Sequence, residues 1–515
     1  MTSLTVYDGA ESIGGNKIFA ENKGRGVFLD FGTNFGKTAQ FFSDFLQNRT
    51  SRGINDALAL GIIPSLNIYR RDLIPSDIDA AKFPKLNVSA VLLSHAHVDH
   101  CGAIGYLDEK IPIIASATSI AILKGMQDTT LTSTDVVYLG KREPSDQDGL
   151  RMKSAGEDLV GRDFYAPTFP SDKLAEFLAD KPKGPKSRKT LTPGILSNYD
   201  QLDLPFEIQA YDMDHSIYGA TSFILQGDSQ IAYTGDFRLH GKYGNTSKKF
   251  ISAAKSASVL VIEGTRTERS GESDVADTVS EESVREICRA AVESASRDLV
   301  IADFGPRNFE RLETFQAIAR KTGRQLVVTA KDVYMFHALD CAEHACSMKD
   351  ILIYDELKDR KNLKWETEVV MPRFGRKYIS CDKINAAPEK YILCFSTYDL
   401  KHLLDIKPER GTYIYSACES FSESMDLDFR MLWNWLEYFR FDVKGFSVSE
   451  ENGKEIVSFD KEYHASGHAS QKDLAWTIDS IGPDMIIPVH TENPDWFSKK
   501  WENTRILHDG ERIEF

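Results

Sequence analysis

The chain has 515 residues, of which 42% are hydrophobic, and a formal net charge of −15. This length predicts two or more domains, and no apolar run in the sequence is long enough for a membrane span. The first residues carry no basic, signal-like stretch, so we expect a soluble, cytoplasmic protein. Seven scattered cysteines without a Cys-x-x-Cys motif indicate neither a disulfide framework nor a thiolate metal site. The negative charge argues against nonspecific adhesion to nucleic acid over the whole surface, although it allows a local basic groove.

Two early strands are predicted to end on residues that can bind metal. The apolar run at 27–29 ends on Asp30, and the run at 88–93 precedes the segment His95-Ala96-His97-Val98-Asp99-His100. Helix capping explains one such residue but not three imidazoles and a carboxylate within six positions. Zinc binds these ligand types, and two neighbouring ions can contact both the attacking and the leaving oxygen of a displacement. The segment therefore predicts a metal site where a strand ends.

Three later strands are also followed by a ligand-type residue. These residues are His215, Asp236 and His490, and each comes after an apolar segment. Taken singly, each of them is more simply interpreted as a cap or turn former. Because several predicted strands along the chain are followed by such a residue, the set predicts one shared metal site.

In this pattern the chain resembles the metallo-β-lactamase superfamily. The resemblance implies an α/β fold, a four-layer αββα sandwich of two mixed sheets flanked by helices. It also implies two zinc ions per chain with seven ligands: His95, His97 and His215 for one ion, Asp99, His100 and His490 for the other, and Asp236 as the bridge. By the same resemblance, Asp30 is an outer carboxylate that orients a ligand or a water.

The distance between Asp236 and His490 is far longer than one strand-helix-strand unit needs. Within it, Ser280 caps a predicted helix, and later helices alternate with strands near 299–302, 326–328, 391–395 and 413–415. This alternation predicts an inserted α/β domain with helices on both faces of its sheet. No ligand candidate lies in it, so we expect the insert to contact substrate rather than metal. The predicted domain segments are 1–265 and 446–515 for the sandwich and 266–445 for the insert.

A metallo-β-lactamase core with such an insert resembles the β-CASP nucleases. Glu263 matches their acidic residue just before the insert, and His468 and His490 match two later motifs. The form His-x-Ser-Gly-His at 464–468 is closer to the RNase J family of this group than to the eukaryotic processing subunit. That resemblance implies a ribonuclease acting on single-stranded RNA, as an exonuclease, an endonuclease or both. We expect no separate C-terminal domain after the last ligand, and the sequence does not indicate a homo-oligomer.

Phosphodiester cleavage needs a nucleophile, relief of charge on the phosphate and a proton for the leaving oxygen. His468 is not required as a ligand and Glu263 is placed to orient its ring, so this pair is the predicted general acid. The alternative is a structural hydrogen-bonding role for His468. Asp99 is predicted to be a catalytic residue as well as a metal ligand. His464 and Ser466 are predicted to bind a substrate phosphate.

Other functions remain open at the level of the sequence. The same site on the same core can hydrolyse DNA or a small-molecule ester, lactone or thioester. A noncatalytic RNA-binding scaffold is a further alternative, which the complete ligand set disfavours. A basic run in a long Pro- and Gly-rich stretch is interpreted as a solvated loop, or else as a contact to the phosphate backbone. Its members are Lys181, Lys183, Lys186, Arg188 and Lys189.

Overall fold

The structure is a computed structural model, and it describes the whole chain except residues 44, 131–134, 183–189, 268–278, 296, 306, 345–346, 418–422 and 452–453. Apart from Lys181, the basic run predicted as a loop or phosphate contact therefore lies outside the described residues. Among the described helices, none combines the length and apolar character that a membrane crossing requires.

The chain forms strands and helices in three successive segments. The first segment contains β1 (Thr2–Asp8), β2 (Lys17–Asn22), β3 (Arg25–Leu29), α1 (Phe35–Ala39), α2 (Asn55–Ala59), β4 (Val88–Leu92), α3 (Val98–Cys101), β5 (Ile113–Ile114), α4 (Ala117–Thr129), β6 (Tyr138–Pro144), β7 (Met152–Gly161), β8 (Phe164–Ala166), α5 (Asp172–Ala179), β9 (Leu191–Thr192), β10 (Leu196–Asn198), β11 (Glu207–Asp212), β12 (Thr221–Gln226), β13 (Gln230–Tyr233), α6 (Gly244–Ala253) and β14 (Val259–Glu263). The second contains α7 (Glu281–Ser294), β15 (Leu299–Asp303), α8 (Phe309–Lys321), β16 (Gln325–Val328), α9 (Ala330–Cys341), β17 (Ile351–Tyr354), α10 (Met371–Phe374), β18 (Tyr378–Ile379), α11 (Cys381–Ala386), β19 (Tyr391–Cys394), α12 (Leu403–Ile406), β20 (Gly411–Tyr415), α13 (Glu423–Tyr438) and β21 (Phe441–Lys444). The third contains β22 (Phe446–Glu451), β23 (Lys454–Phe459), α14 (Gln471–Ile481), β24 (Met485–Val489), α15 (Asp495–Ser498) and β25 (Glu511–Glu514).

Two mixed sheets form the centre of the molecule. One has eight strands in the order β10-β8-β5-β4-β3-β2-β1-β25, and the other has five in the order β11-β12-β13-β14-β24. Alternate residues of both sheets point into one shared core, which includes Leu4, Val27, Leu92, Phe223 and Val261. Full burial of each such large apolar side chain contributes about 1.5–3 kcal/mol. The sheets are therefore held face to face.

Helices cover the outer faces of both sheets. Ile224 and Leu260 of the five-stranded sheet pack against apolar residues of α6 and α14, such as Phe250 and Leu474. On the eight-stranded sheet, Val91 belongs to a core that includes residues of α4. These four layers confirm the predicted αββα sandwich.

The inserted segment forms a third sheet, in which all seven strands are parallel. Its order is β18-β17-β16-β19-β15-β20-β21. Along β15, Val300 faces a core with α7, α8 and α9, whereas Ile301 faces a second core that includes α13. The predicted Ser280 cap is present, since its side chain accepts a hydrogen bond from the Ser283 N–H. The α/β insert with helices on both faces is confirmed, while the exact domain boundaries stay a prediction.

The strands that flank the insert are neighbours in the five-stranded sheet. β14 pairs in parallel with β24, and Glu263 is aligned with Val489. β13 pairs in parallel with β14 on the other side. Because parallel strands end at the same edge of a sheet, the residues that follow β13, β14 and β24 are brought together there.

Candidate metal centre

The six-residue segment after β4 changes its backbone direction within a few residues. His95 and His97 lie on an extended stretch, and His97 is the N-cap of the short helix α3. Asp99 and His100 lie within α3 itself, and the centre of the His100 ring is 4.1 Å from that of His95. The backbone at Gly32 packs closely against α3, because a Cβ atom added at Gly32 would lie 1.6 Å from the Asp99 carbonyl oxygen.

Three histidines form the first cluster. The Nδ1 atom of His97 lies 2.9 Å from His95 Nε2 and 3.2 Å from His215 Nε2. Burial lowers the pKa of His95 and His215 well below the ordinary value and lowers that of His97 to about 4. All three rings are therefore neutral at pH 7, which is the form of imidazole that binds metal.

Two histidines and two aspartates form the second cluster. His100 Nε2 lies 3.1 Å from Asp236 Oδ2, and His490 Nε2 lies 3.3 Å from Asp99 Oδ2. Asp236 Oδ2 is also 3.7 Å from His95 Nε2 and 4.0 Å from His215 Nε2. Asp236 thus lies between the two clusters.

Contacts at Nδ1 orient four of the histidine rings so that their Nε2 atoms face the clusters. Four Nδ1 atoms lie against a partner outside the clusters: His95 with Ser94 Oγ (2.9 Å), His100 with Asp30 Oδ2 (2.7 Å), His215 with the Gly467 carbonyl (2.6 Å) and His490 with Thr265 Oγ (2.9 Å). A proton on Nδ1 leaves the Nε2 lone pair free, so each of these rings presents a ligand atom inward.

Two buried atoms of the second cluster lack a hydrogen-bond partner among the described residues. They are Asp236 Oδ1 and His100 Nε2, whose 3.1 Å contact with Asp236 Oδ2 does not have the geometry of a hydrogen bond. A buried polar atom without a partner costs about 1–3 kcal/mol. Burial lowers the pKa of His100, but Asp236, Asp99 and Asp30 raise it well above the ordinary value, so the site favours an additional positive charge. These residues fit a bound metal ion.

Asp30 lies behind this cluster and contacts it through His100. Its carboxylate accepts hydrogen bonds from Ser94 N–H and Oγ–H, both 2.7 Å, and from Tyr233 Oη–H, 2.6 Å. Its backbone has a φ of +60°, in the left-handed region. Four hydrogen bonds at a fully buried carboxylate hold the His100 ring in one orientation.

Glu263 and His468 form a pair beside both clusters. Glu263 Oε2 lies 3.0 Å from His468 Nδ1, and His468 Nδ1 lies 3.8 Å from Asp236 Oδ2. Burial alone lowers the pKa of His468, but Glu263 and Asp236 raise it to about 9. Glu263 also accepts a hydrogen bond from the Phe237 N–H, which fixes its carboxylate.

The structure does not place His464 as the sequence predicted. Its two ring nitrogens each lie 2.7 Å from a backbone carbonyl, Nδ1 from that of Ala417 and Nε2 from that of Gly445. The ring is buried and has no nitrogen left for a phosphate, so its contacts join three chain segments instead. The Ser466 hydroxyl accepts a hydrogen bond from the His468 N–H and keeps its own proton to donate.

Sequence reasoning missed several residues around the clusters. Ser94, Tyr233 and Thr265 anchor ligand side chains, yet in the sequence they are ordinary polar residues. It also missed a cavity of about 670 Å³ between the sandwich and the insert. The residues that line this cavity include His97, His468, Phe304, Arg307, Tyr398 and Trp435.

Two family profiles match parts of the chain. Residues 62–149 match the metallo-beta-lactamase superfamily, and residues 461–502 match the Zn-dependent metallo-hydrolase RNA specificity domain. The first match contains the segment at 95–100, and the second contains His468 and His490.

Similar proteins extend the likeness to almost the whole chain. Ribonuclease J of Pyrococcus abyssi (strain GE5 / Orsay) is 21% identical over 514 residues, which cover 96% of this chain and 90% of that protein. The crystal structure of a protein of unknown function from Enterococcus faecalis V583 covers 99% of both chains, with a TM-score of 0.66 and 21% identity. That structure shows a shared fold.

The resemblance predicted from the sequence is confirmed. The chain carries a metallo-β-lactamase domain and an RNA specificity domain, and it is a metal-dependent hydrolase.

Proposed function

We propose that the chain is a zinc-dependent ribonuclease that hydrolyses phosphodiester bonds of single-stranded RNA. The observation that carries this proposal is the pair of adjacent ligand clusters with Asp236 between them, in a chain that carries an RNA specificity domain. Two neighbouring ions can stabilise both the attacking and the leaving oxygen when a phosphodiester is hydrolysed.

The two clusters would hold the ions. His95, His97 and His215 supply three neutral nitrogens, a donor set that suits zinc. The second cluster supplies two nitrogens and two carboxylates. When bound, such ions supply a nucleophile at neutral pH and neutralise charge on a phosphate.

The Glu263–His468 pair would supply the proton for the leaving oxygen. Glu263 accepts the hydrogen bond from His468 Nδ1 and stabilises the charged ring. Nε2 is the ring nitrogen left to donate a proton, and His468 lines the cavity beside the clusters. A protonated ring that lines this cavity supports the role of general acid.

Purified protein incubated with end-labelled RNA and DNA, with and without a chelator, tests the proposal. We expect chelator-sensitive cleavage of RNA. Cleavage of DNA alone would indicate a DNA nuclease, and hydrolysis of a lactone or thioester without RNA cleavage would indicate a small-molecule hydrolase. RNA binding without any hydrolysis would indicate a scaffold.

We expect about two zinc ions per chain after reconstitution, because seven side chains in two clusters exceed the four ligands of one tetrahedral ion. Elemental analysis of the reconstituted protein measures the content. One ion or fewer in repeated preparations would contradict the two-ion site. Removal of the metal should also lower the unfolding temperature, since an ion that binds only the folded state stabilises it.

We expect single-stranded RNA to be cut and a blunt duplex to resist. The cavity beside the clusters is bounded by both the sandwich and the insert, and its aromatic side chains Phe304, Tyr398 and Trp435 suit unpaired bases. Bases inside a duplex are already stacked on each other and cannot contact these rings. Gel analysis of one labelled strand, alone and annealed to its complement, measures the difference. Equal cleavage of both forms would contradict this prediction.

A further inference from the structure

Arg307 is a cation at the edge of the metal centre, and no partner for its Nε atom is found among the described residues. Its Nε atom is buried without a hydrogen bond, and its side chain makes no ion pair with any residue in the described ranges. The large buried arginines elsewhere in the fold are each bound by carboxylates or carbonyls: Arg70, Arg162, Arg238 and Arg311. A guanidinium that is desolvated without such partners is costly, and the cost is offset when an anionic ligand binds.

Arg307 belongs to the insert but faces the metal clusters. It lines the 670 Å³ cavity together with His97 and His468 of the sandwich. Burial lowers the pKa of Arg307, and the groups that oppose this effect are Asp99, a member of the second cluster, and Cys101, which follows His100 in the chain. The guanidinium is therefore close enough to the clusters to interact with the same substrate group.

The backbone at Arg307 is also strained. Its φ is +70°, in the left-handed region that residues with a Cβ atom rarely adopt. Arg307 lies between the end of β15 and Asn308, the N-cap of α8. The strained backbone therefore holds the Arg307 side chain in the loop that follows a strand. Strain of this kind persists mainly where a particular side-chain position is needed.

Resting on the proposed ribonuclease function, we propose that Arg307 is a further catalytic residue that binds a nonbridging oxygen of the phosphodiester being cut. The planar guanidinium can donate two parallel hydrogen bonds to a phosphate, which a lysine ammonium cannot. Negative charge grows on these oxygens during cleavage, so a fixed cation stabilises the transition state more than the bound substrate.

Lys401 lines the same cavity but does not fit this role. Its Nζ atom lies 3.9 Å from Glu356 Oε1, and its side chain is 63% exposed. A solvated, paired ammonium contributes little additional attraction to a phosphate. Of the arginine and lysine residues that line the cavity, Arg307 is therefore the one without an ion pair to a described residue.

Steady-state kinetics of R307A, R307K and R440A on a single-stranded RNA test the proposal. Arg440 is a matched control, because it is an exposed arginine with a φ of +56° outside the cavity. We expect R307A to lower kcat by roughly 10²–10³-fold with a smaller change in KM, as for the loss of one oxyanion donor. R307K should recover part of this loss, and R440A should match the wild type.

Two further measurements separate catalysis from structure. Guanidinium ion, added to R307A below unfolding concentrations, should restore part of kcat by occupying the vacated position. R307G should unfold at the same or a higher temperature than the wild type, because glycine relieves the positive φ, and it should show the same loss of kcat as R307A. No rescue together with a lower unfolding temperature would overturn the proposal and assign Arg307 a structural role.

Substrates with a 5′-hydroxyl and with a 5′-monophosphate distinguish two sources of the phosphate. An equal loss of kcat on both supports binding of the phosphodiester being cut. A loss confined to the 5′-monophosphate RNA would overturn the proposal in favour of a terminal phosphate. RNA cleavage by the wild type with no effect of R307A would refute this inference alone, whereas absence of wild-type cleavage would refute the ribonuclease function itself.

Discussion

We expect His468→Ala to lower kcat by roughly 10²–10⁴-fold while both metal ions remain bound, as is typical for loss of a general acid. His468 Nδ1 is held by Glu263 at 3.0 Å, and in the proposed role the other ring nitrogen would protonate the leaving oxygen. Kinetics and elemental analysis of the same preparation measure the two quantities. If metal content falls in proportion to activity, His468 is a ligand and the assignment is wrong.

Glu263→Gln provides a second measurement on the same pair. A general acid must be protonated, and the pKa of His468 is raised to about 9, so the wild-type rate should fall as the pH rises through this value. The neutral amide no longer stabilises the imidazolium, so the fall should begin at lower pH in the variant. An unchanged pH–rate profile would show that Glu263 does not control the protonation of His468.

The second large effect is expected for Asp236→Ala. Asp236 Oδ2 lies within 4.0 Å of His95, His100 and His215, so its removal affects both clusters. We expect loss of metal from both positions and no measurable activity. Asp30→Ala should retain more metal, because Asp30 acts through the orientation of His100.

Asp56→Ala is the matched control for these aspartate variants. Asp56 is also buried, and it pairs with Arg49 away from both clusters. It should retain full metal content even if its stability falls. Greater metal loss in Asp30→Ala than in Asp236→Ala would contradict the bridging position of Asp236.

Much of the fold could be predicted because its signals are local. The apolar run at 299–302 and the cap at Ser280 each depend on neighbours within a few residues, and both elements are present. The small sheet of β6, β7 and β9 had no such signal, because Gly, Pro and charged residues dominate that region of the sequence. Its strands form through pairing with each other rather than through apolar alternation.

The residues of the candidate site could also be predicted only where their signal in the sequence is local. The segment at 95–100 could be recognised because four ligand-type residues fall within six positions. His464 was misjudged because the carbonyls that bind its ring come from Ala417 and Gly445, which sequence spacing does not bring near it. Arg307 gave no signal at all, since the absence of a partner is a property of the folded chain.

The pairing of β14 with β24 also determines when the site can form. The whole insert separates these two strands in the chain, so their contact is among the most nonlocal in the fold and is expected to form slowly. His490 follows β24, and during translation the other members of the second cluster leave the ribosome long before it does. The second cluster therefore lacks His490 until nearly all of the chain has been synthesised.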